Sequence, residues 1–518
     1  MPFEFELPEI FNAADYFVDR NVREGRGDKI AIKCGASQFS YRDVQQGVNR
    51  FGNTLKSLGV RMEERIALLM LDTEVYPQAF FGSIKMGAIP ICLNTLMRPK
   101  DYEYFLNDSR ARVLVIDAHL LPSLEPIRNK LPFLKQVIVV NGEAPAGDLQ
   151  LKTLWAGQSE VLDPAPTKPD DACFWLYSSG STGQPKGTVH LQRDMVYSCE
   201  TYGKQVLGVK ENDVCFSAAK LFFAYGLGNG LYFPFSVGAT AVYLPDRPTP
   251  EAVFQTIKEH KPTIFYGVPT LYASMLEAEG SLDGVRICVS AGEALPADIL
   301  KRWRERFDVD ILDGIGSTEL VHIFISNYPN EIHPGSTGRL VPGHEAKIVD
   351  EQMQEVAQGE VGTLLVKSGS AAAYYWNKRE KTQQTMLGPW LNTGDKFFID
   401  EEGLFFYAGR TDDMLKVGGI WLSPIEVEAC IIAHPAVLEC AVVAATDPEN
   451  LVKPKAYVVL KSGQQPSNEM ADEIKQYVKT TLAPYKYPRW VEFIDELPKT
   501  ATGKIKRFKL RNQEDDEV

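Results

Sequence analysis

Tyr177-Ser178-Ser179-Gly180-Ser181-Thr182-Gly183-Gln184-Pro185-Lys186-Gly187 leaves one strand-like run, residues 173–176, and feeds a second, Thr188-Val189-His190-Leu191. Three glycines let backbone N–H groups approach an anion closely, the hydroxyls of Ser178, Ser179, Ser181 and Thr182 add donors, and Lys186 adds positive charge. That set suits the phosphates of a nucleoside triphosphate. The order GxxxxGK[ST] is absent, so the usual P-loop geometry is not expected. A flexible Gly/Ser linker is the competing reading. Pro185-Lys186-Gly187, closing the loop directly against an apolar strand, argues against it.

Outward from this loop the chain alternates between helical and strand periods. Val44, Val48, Phe51, Leu55 and Leu58 share one helical face, and the apolar run 66–71 follows, suited to a strand buried on both sides. Similar runs recur at 112–117, 136–140, 239–244, 263–268 and 285–290, with helix-like segments at 250–260 and 296–307. This alternation predicts an α/β fold whose large N-terminal domain, residues 1–410, is built of helix-covered parallel sheets. Within it, the turn-punctuated stretch at about 330–410 predicts a β-rich subdomain. Residues 411–518 read as a small α+β domain with an amphipathic helix near 470–481 and a basic tail.

The 518 residues are 44% hydrophobic and 24% charged, ordinary usage for a globular protein of two or more domains. A net charge of -13 argues against a nucleic-acid partner, since phosphate backbones are held by clustered Lys and Arg. The eight cysteines form no CxxC pair and sit mostly in apolar runs, which predicts buried thiols in a reducing compartment. The N-terminus is acidic where a signal peptide needs a basic start, and no run of about 18 apolar residues occurs. A cytoplasmic protein with no membrane partner is expected, as a monomer or homodimer.

The stretch SSGSTGQPKG (178–187) resembles the phosphate-loop signature of the adenylate-forming superfamily, which includes acyl-CoA synthetases. Further along, Gly314-Ile315-Gly316-Ser317-Thr318-Glu319 resembles that family's YGxTE element and Asn392-Thr393-Gly394-Asp395 its TGD element. Residues 407–413 are similar to its domain hinge, and 498–504 to its C-terminal lysine motif. Five motifs in order over more than 300 residues make coincidence negligible.

The resemblance implies an AMP-forming acid–thiol ligase using ATP, Mg2+ and coenzyme A. ATP would be held by Ser178, Ser179, Gly180, Ser181, Thr182, Gly183 and Lys186. Gly292, Glu293, Ala294, Asp313 and Gly314 would line the adenine site with Ile315 against the base, Gly316 would be a further nucleotide contact, and Asp395 and Arg410 would hold the ribose. Ile315 replaces the family's Tyr, so aliphatic contact stands in for stacking on the base. Thr318 is implied as a phosphate contact, Glu319 as the Mg2+ ligand, and Lys504 as the residue that offsets charge on the carboxylate and α-phosphate. Read without the motifs, Thr318-Glu319 is a helix cap, Asp395 a turn residue, Arg410 a surface charge and Lys504 part of a solvated tail. The small domain would rotate about Asp412 within a hinge at 410–413, bringing Gly418, Gly419 and Trp421 to the CoA arm; a plain tight turn is the competing reading for the two glycines. The resemblance also makes Lys504 a candidate for acetylation by a lysine acetyltransferase, reversed by a deacetylase.

The segment Lys220–Asn229 falls where the family builds its acyl pocket and resembles the benzoate and hydroxybenzoate branch. Phe223, Ala224, Tyr225, Gly226, Ala291, Gly316, His322 and Ile323 are the implied lining. Ala224 stands where amino-acid-activating relatives place an Asp for the substrate ammonium. Gly316 is expected to leave room for a flat ring, and His322 to close the far end or else to be a satisfied core histidine. With few polar groups in view, an unsubstituted aromatic acid such as benzoate is favoured. A hydroxybenzoate or medium-chain fatty acid ligase is the alternative, and a catalytically silent nucleotide-binding protein is the reading from another class.

Overall fold

The apolar runs become strands because no face of theirs is left to water. In the computed structural model, which describes residues 5–178, 184–411, 413–417, 420–447, 451–483, 486–499 and 505–512, two large sheets form the body. The first has eight strands in the order Tyr374–Tyr375, Lys186–Leu191, Ala172–Ser178, Ile89–Cys92, Arg65–Leu69, Val113–Asp117, Gln136–Val140, Leu149–Gln150. The second has nine: Arg339–Leu340, Ile323–Ser326, Ile311–Gly316, Ile287–Ser290, Ile264–Gly267, Val214–Ser217, Thr240–Tyr243, Ile30–Cys34 and Ser37–Ser40. Their interior pairings are parallel, and both turn antiparallel toward the functional edge, at Ala172–Ser178 with Lys186–Leu191 and at Ile311–Gly316 with Ile323–Ser326. The expected α/β architecture is what the chain adopts.

The main core lies between these sheets and takes in the expected helix face. Tyr41–Ser57 starts at Ser40, whose side chain and that of Asp43 form a capping box, and buries Val44, Val48, Phe51 and Leu55. It packs on the helix Val75–Lys85 so closely that a Cβ at Gly82 would lie 2.8 Å from the Val48 carbonyl oxygen. Each fully buried Leu or Phe of this kind contributes about 1.5–3 kcal/mol. Of the cysteines, Cys34 is half-buried and the rest are buried and free. Among the described residues no helix is long and apolar enough to cross a membrane.

The β-rich stretch is present but shared. Glu345–Val349, Gly362–Lys367, Met386–Leu387, Trp390–Ile399 and Phe405–Arg410 form an antiparallel sheet over Ile348, Leu364, Val366 and Phe397. Arg339–Leu340 instead extends the nine-stranded sheet and Tyr374–Tyr375 the eight-stranded one. The stretch thus stitches the two large sheets together.

Toward the C-terminus, Val437–Thr446, Val452–Leu460 and Trp490–Phe493 form a three-stranded sheet covered by Pro424–Ile432 and by Asn468–Thr481, the expected amphipathic helix. The last helix, Arg507–Asn512, is pinned by a buried fork: Arg507 Nη2 donates to both Glu428 oxygens at 2.9 and 2.7 Å, while Val442 N donates to Glu428 Oε1 at 2.7 Å. Arg511 pairs with Asp413.

Candidate active site

The two sheets meet at the ends of their strands, where a polar cluster gathers. Ser178 ends one strand and Lys186 opens the next, directly opposite it in the antiparallel register. Across from them, Ile311–Gly316 delivers the short turn Thr318–Leu320, capped by Ser317. Tyr375, from the edge strand beyond Lys186–Leu191, completes the group. Glu319 Oε1 accepts from Tyr375 OH at 2.7 Å and Ser178 Oγ at 3.1 Å, and lies 3.8 Å from Lys186 Nζ. Lys186 Nζ also donates to Tyr375 OH at 3.4 Å and sits over its ring. Ser179, Gly180, Ser181, Thr182 and Gly183 lie outside the described residues.

The charges in this cluster hold one another ionised. Burial pushes the Glu319 carboxyl up, but Lys186, Tyr375 and Ser178 outweigh it and leave the group below its ordinary value. Burial draws Lys186 down against the pull of Glu319. Behind the cluster, His190 spans the sheets: its Nε2–H donates to the Thr318 carbonyl at 2.8 Å, and its Nδ1 lies 3.0 Å from Asp194 Oδ2. Tyr375 and His190 belong to no motif that sequence reasoning singled out for a role.

Asp395 and Arg410 face each other on paired strands, with Arg410 Nη1 donating to Asp395 Oδ1 at 3.0 Å and to the Thr393 carbonyl at 3.1 Å. Asp395 is the first cause of the raised Arg410 value. Gly394 has φ +73°, and a Cβ there would lie 3.0 Å from the guanidinium, so the turn requires glycine. Asp313 is buried within its strand; burial pushes its carboxyl up to about 8, and Oδ1 has no hydrogen-bond partner among the described residues. Glycine at 292 is likewise required, with φ +97°. Ile315 is half-buried and packs toward the β-rich core.

Glu293 links the two ends of the site. Its Oε1 accepts from Ile505 N at 2.9 Å, and Ile505 pairs with Lys499 in an isolated antiparallel bridge. Lys504 lies outside the described residues, as do Asp412, Gly418 and Gly419; of Trp421 the backbone alone is described, on the strand Ile420–Leu422.

The implied acyl lining is dense. Tyr225 OH donates to the carbonyls of Val289 at 2.9 Å and Gly267 at 3.2 Å. His322 is 3% exposed, donates from Nε2 to the Tyr225 carbonyl at 3.2 Å, and packs among Tyr202, Tyr225, Tyr232 and Phe233. Burial draws its imidazole down to about 3, and Nδ1 has no partner among the described residues. Phe223 and Ala224 are half-buried against the main core; Ala291 and Ile323 are buried.

Two glycines here have reasons the sequence did not give. A Cβ at Gly316 would lie 2.6 Å from the His322 carbonyl oxygen, because Ile323–Ser326 returns antiparallel beside it with a register shift. A Cβ at Gly226 would lie 2.1 Å from the Lys220 carbonyl oxygen. Close backbone approach, and not space for a ring alone, demands glycine at both positions.

Residues 18–376 match the family model described as AMP-binding enzyme, and 426–504 that of the AMP-binding enzyme C-terminal domain. The chain is 52% identical to a benzoate–CoA ligase of Thauera aromatica, over 99% of this chain and 98% of the relative. It superimposes on a benzoate CoA ligase from Burkholderia xenovorans LB400 with a TM-score of 0.91 at 47% identity, covering 97% of this chain and 100% of that one. An anthranilate CoA ligase solved with anthranoyl-AMP gives a TM-score of 0.96 at 46% identity, over 99% and 98% of the two chains.

Proposed function

The chain belongs to the AMP-binding enzyme family, and from that premise we propose that it is a benzoate–CoA ligase, joining benzoate to coenzyme A with conversion of ATP to AMP and pyrophosphate. The observation that carries this reading is the convergence of Ser178, Lys186, Glu319 and Tyr375 at the junction of the two sheets, with His322, three residues beyond Glu319, packed on Tyr225 of the aromatic segment. Identity to benzoate–CoA ligases over nearly the whole chain supports the acid.

A carboxylate resists attack by a thiol because its charge is delocalised and it has no good leaving group. Transfer to the α-phosphorus of ATP solves both problems, forming a benzoyl-adenylate and releasing pyrophosphate; the thiol of CoA then displaces AMP. No side-chain nucleophile is needed, so the protein acts by positioning and charge stabilisation. Lys186 and the hydroxyls of 178–182 hold the β- and γ-phosphates in this reading, Thr318 a further phosphate, Asp395 and Arg410 the ribose, and Asp313 with 292–294 the base.

Glu319 fits Mg2+ in its chemistry. It is a carboxylate kept ionised beside the phosphate loop, and among the described residues no cluster of three acidic, His or Cys ligands exists, so it would hold the ion together with the nucleotide's own oxygens. The ion supplies neutralisation of phosphate charge. Lys504, which immediately precedes the Ile505 that donates to Glu293, is assigned by this reading to the carboxylate and α-phosphate; it is also the residue whose acetylation would silence the first half-reaction. Residues 411–518 form the small domain, pivoting at Asp412 between half-reactions and presenting Gly418, Gly419 and Trp421 to CoA.

The test is ATP–pyrophosphate exchange without CoA. Exchange that requires both benzoate and Mg2+ is the expected result, and AMP should then accumulate on adding CoA. Exchange independent of acid would contradict the acid-activating reading, and its absence with every acid tried would favour a silent nucleotide-binding protein.

A further inference from the structure

Lys220 and Asp72 stand outside every motif of the nucleotide site, yet both are largely buried charges at the foot of the aromatic segment. Lys220 follows the strand Val214–Ser217, and its ammonium donates to the carbonyls of Leu244, Pro245 (3.1 Å) and Asp246 (2.6 Å), the residues leaving the neighbouring strand Thr240–Tyr243. Its own carbonyl accepts from Phe223 N at 3.0 Å, turning the chain sharply. Gly226 folds back onto that turn. Asp72 comes from the other large sheet, just beyond Arg65–Leu69. It is 4% exposed; Oδ1 accepts from Leu221 N at 3.1 Å, and Oδ2 lies 4.0 Å from Lys220 Nζ.

We propose that Asp72 and Lys220 are positioning residues for the acid substrate: they pin the segment carrying Phe223, Ala224 and Tyr225 to both large sheets, and so set the affinity for the acid and not for ATP. This rests on the reading that the segment lines the acid site. Losing the Asp72 charge leaves the Lys220 ammonium to the carbonyls of 244–246 without its anion, and losing Lys220 leaves Asp72 a buried carboxylate on the Leu221 amide without its cation, so either change loosens the hold on the segment. Neither residue contacts Lys186, Glu319, Asp395 or Arg410 among the described interactions, so the nucleotide site should be indifferent.

The clamp also has a pH signature. Burial raises the Asp72 carboxyl to about 6 against the pull of Lys220 and the Leu221 amide. Cys34, Tyr76 and Tyr243 also face Asp72, and Asp246 and Cys34 face Lys220. As pH falls through about 6, Asp72 gains a proton and the ion pair is lost.

The experiment is steady-state kinetics of the full chain with benzoate, ATP and CoA, comparing wild type, Asp72→Asn and Lys220→Met. Asp72→Asn keeps an oxygen for the Leu221 amide and removes the charge; Lys220→Met keeps the aliphatic stem. KM for benzoate should rise about tenfold in each variant while KM for ATP stays within about twofold, a split of roughly 1.4 kcal/mol. In wild type the ratio of benzoate KM to ATP KM should climb as pH falls from about 7 to about 5.5, and Asp72→Asn should flatten that climb. Equal changes in both KM values, or a wild-type ratio that stays flat, overturn the proposal. Should both variants fail to fold, the wild-type ratio decides alone. Failure of the ligase reading looks different: wild type then forms no AMP with any acid, and the proposal falls with it.

Discussion

The charged corner around Glu319 and the aromatic corner around His322 are neighbours built on opposite physics. At the first, Ser178, Lys186, Glu319 and Tyr375 form a charged cluster in which burial and pairing balance to keep a carboxylate ionised. At the second, His322 sits neutral among four aromatic rings, its environment set by packing and by backbone passing within contact of Gly316. Charge clusters need particular residue types at particular spacings. Packed walls need only shape, which many sequences supply, and so the comparison predicts that variants at the two corners fail in different ways.

The largest effect should come from Lys504→Ala. Removing the one cation assigned to the reacting carboxylate should slow benzoate-dependent pyrophosphate release by about 100-fold or more, with thioester formation from supplied benzoyl-adenylate changed far less. Equal loss in both half-reactions would break the division of labour. Next comes Gly316→Ala, where a Cβ would meet the His322 carbonyl oxygen. It should lower stability by about 1–3 kcal/mol in denaturant unfolding, along with activity. A stable variant that only narrows the range of acids would return Gly316 to its simpler role as space for a ring.

Confined to acid pH is the contribution of His322. Burial draws its folded value to about 3, below the ordinary imidazole range, so the unfolded chain takes up the proton first. The neutral form is favoured on folding; stability is full above about pH 6.5 and is lost progressively as pH falls toward 3. His322→Gln should make the acid limb of the stability curve shallower, and an unchanged limb would contradict the burial account. The smallest effect is expected from Tyr375→Phe, which removes one hydrogen bond to Glu319 and should raise KM for MgATP by roughly three- to tenfold while leaving benzoate KM unaltered.

The two corners also differ in how much of them the sequence disclosed. Strands such as Val113–Asp117 and Gln136–Val140 were legible because burial on both faces leaves an unbroken apolar run, and the gathering of Ser178, Lys186 and Glu319 because each sits in a short motif of distinctive residue types. Tyr375 was missed: it reaches Lys186 across 189 residues of chain, from a two-residue strand with no periodic signal. Asp72 was missed for the same reason, its partner lying on the other sheet. Gly316 was read as empty space because a close antiparallel return with a register shift leaves no mark in a linear pattern.

The central claim, that the aromatic corner selects benzoate, is tested most directly by kcat/KM for AMP formation across benzoate, 4-hydroxybenzoate, 2-aminobenzoate, octanoate and acetate. Benzoate should lead every other acid by about tenfold or more, equivalent to roughly 1.4 kcal/mol of discrimination. A lead by octanoate or acetate, or by a ring-substituted acid, would leave the adenylating machinery intact and contradict the assignment of Phe223, Ala224, Tyr225 and His322 as a pocket shaped for the bare ring.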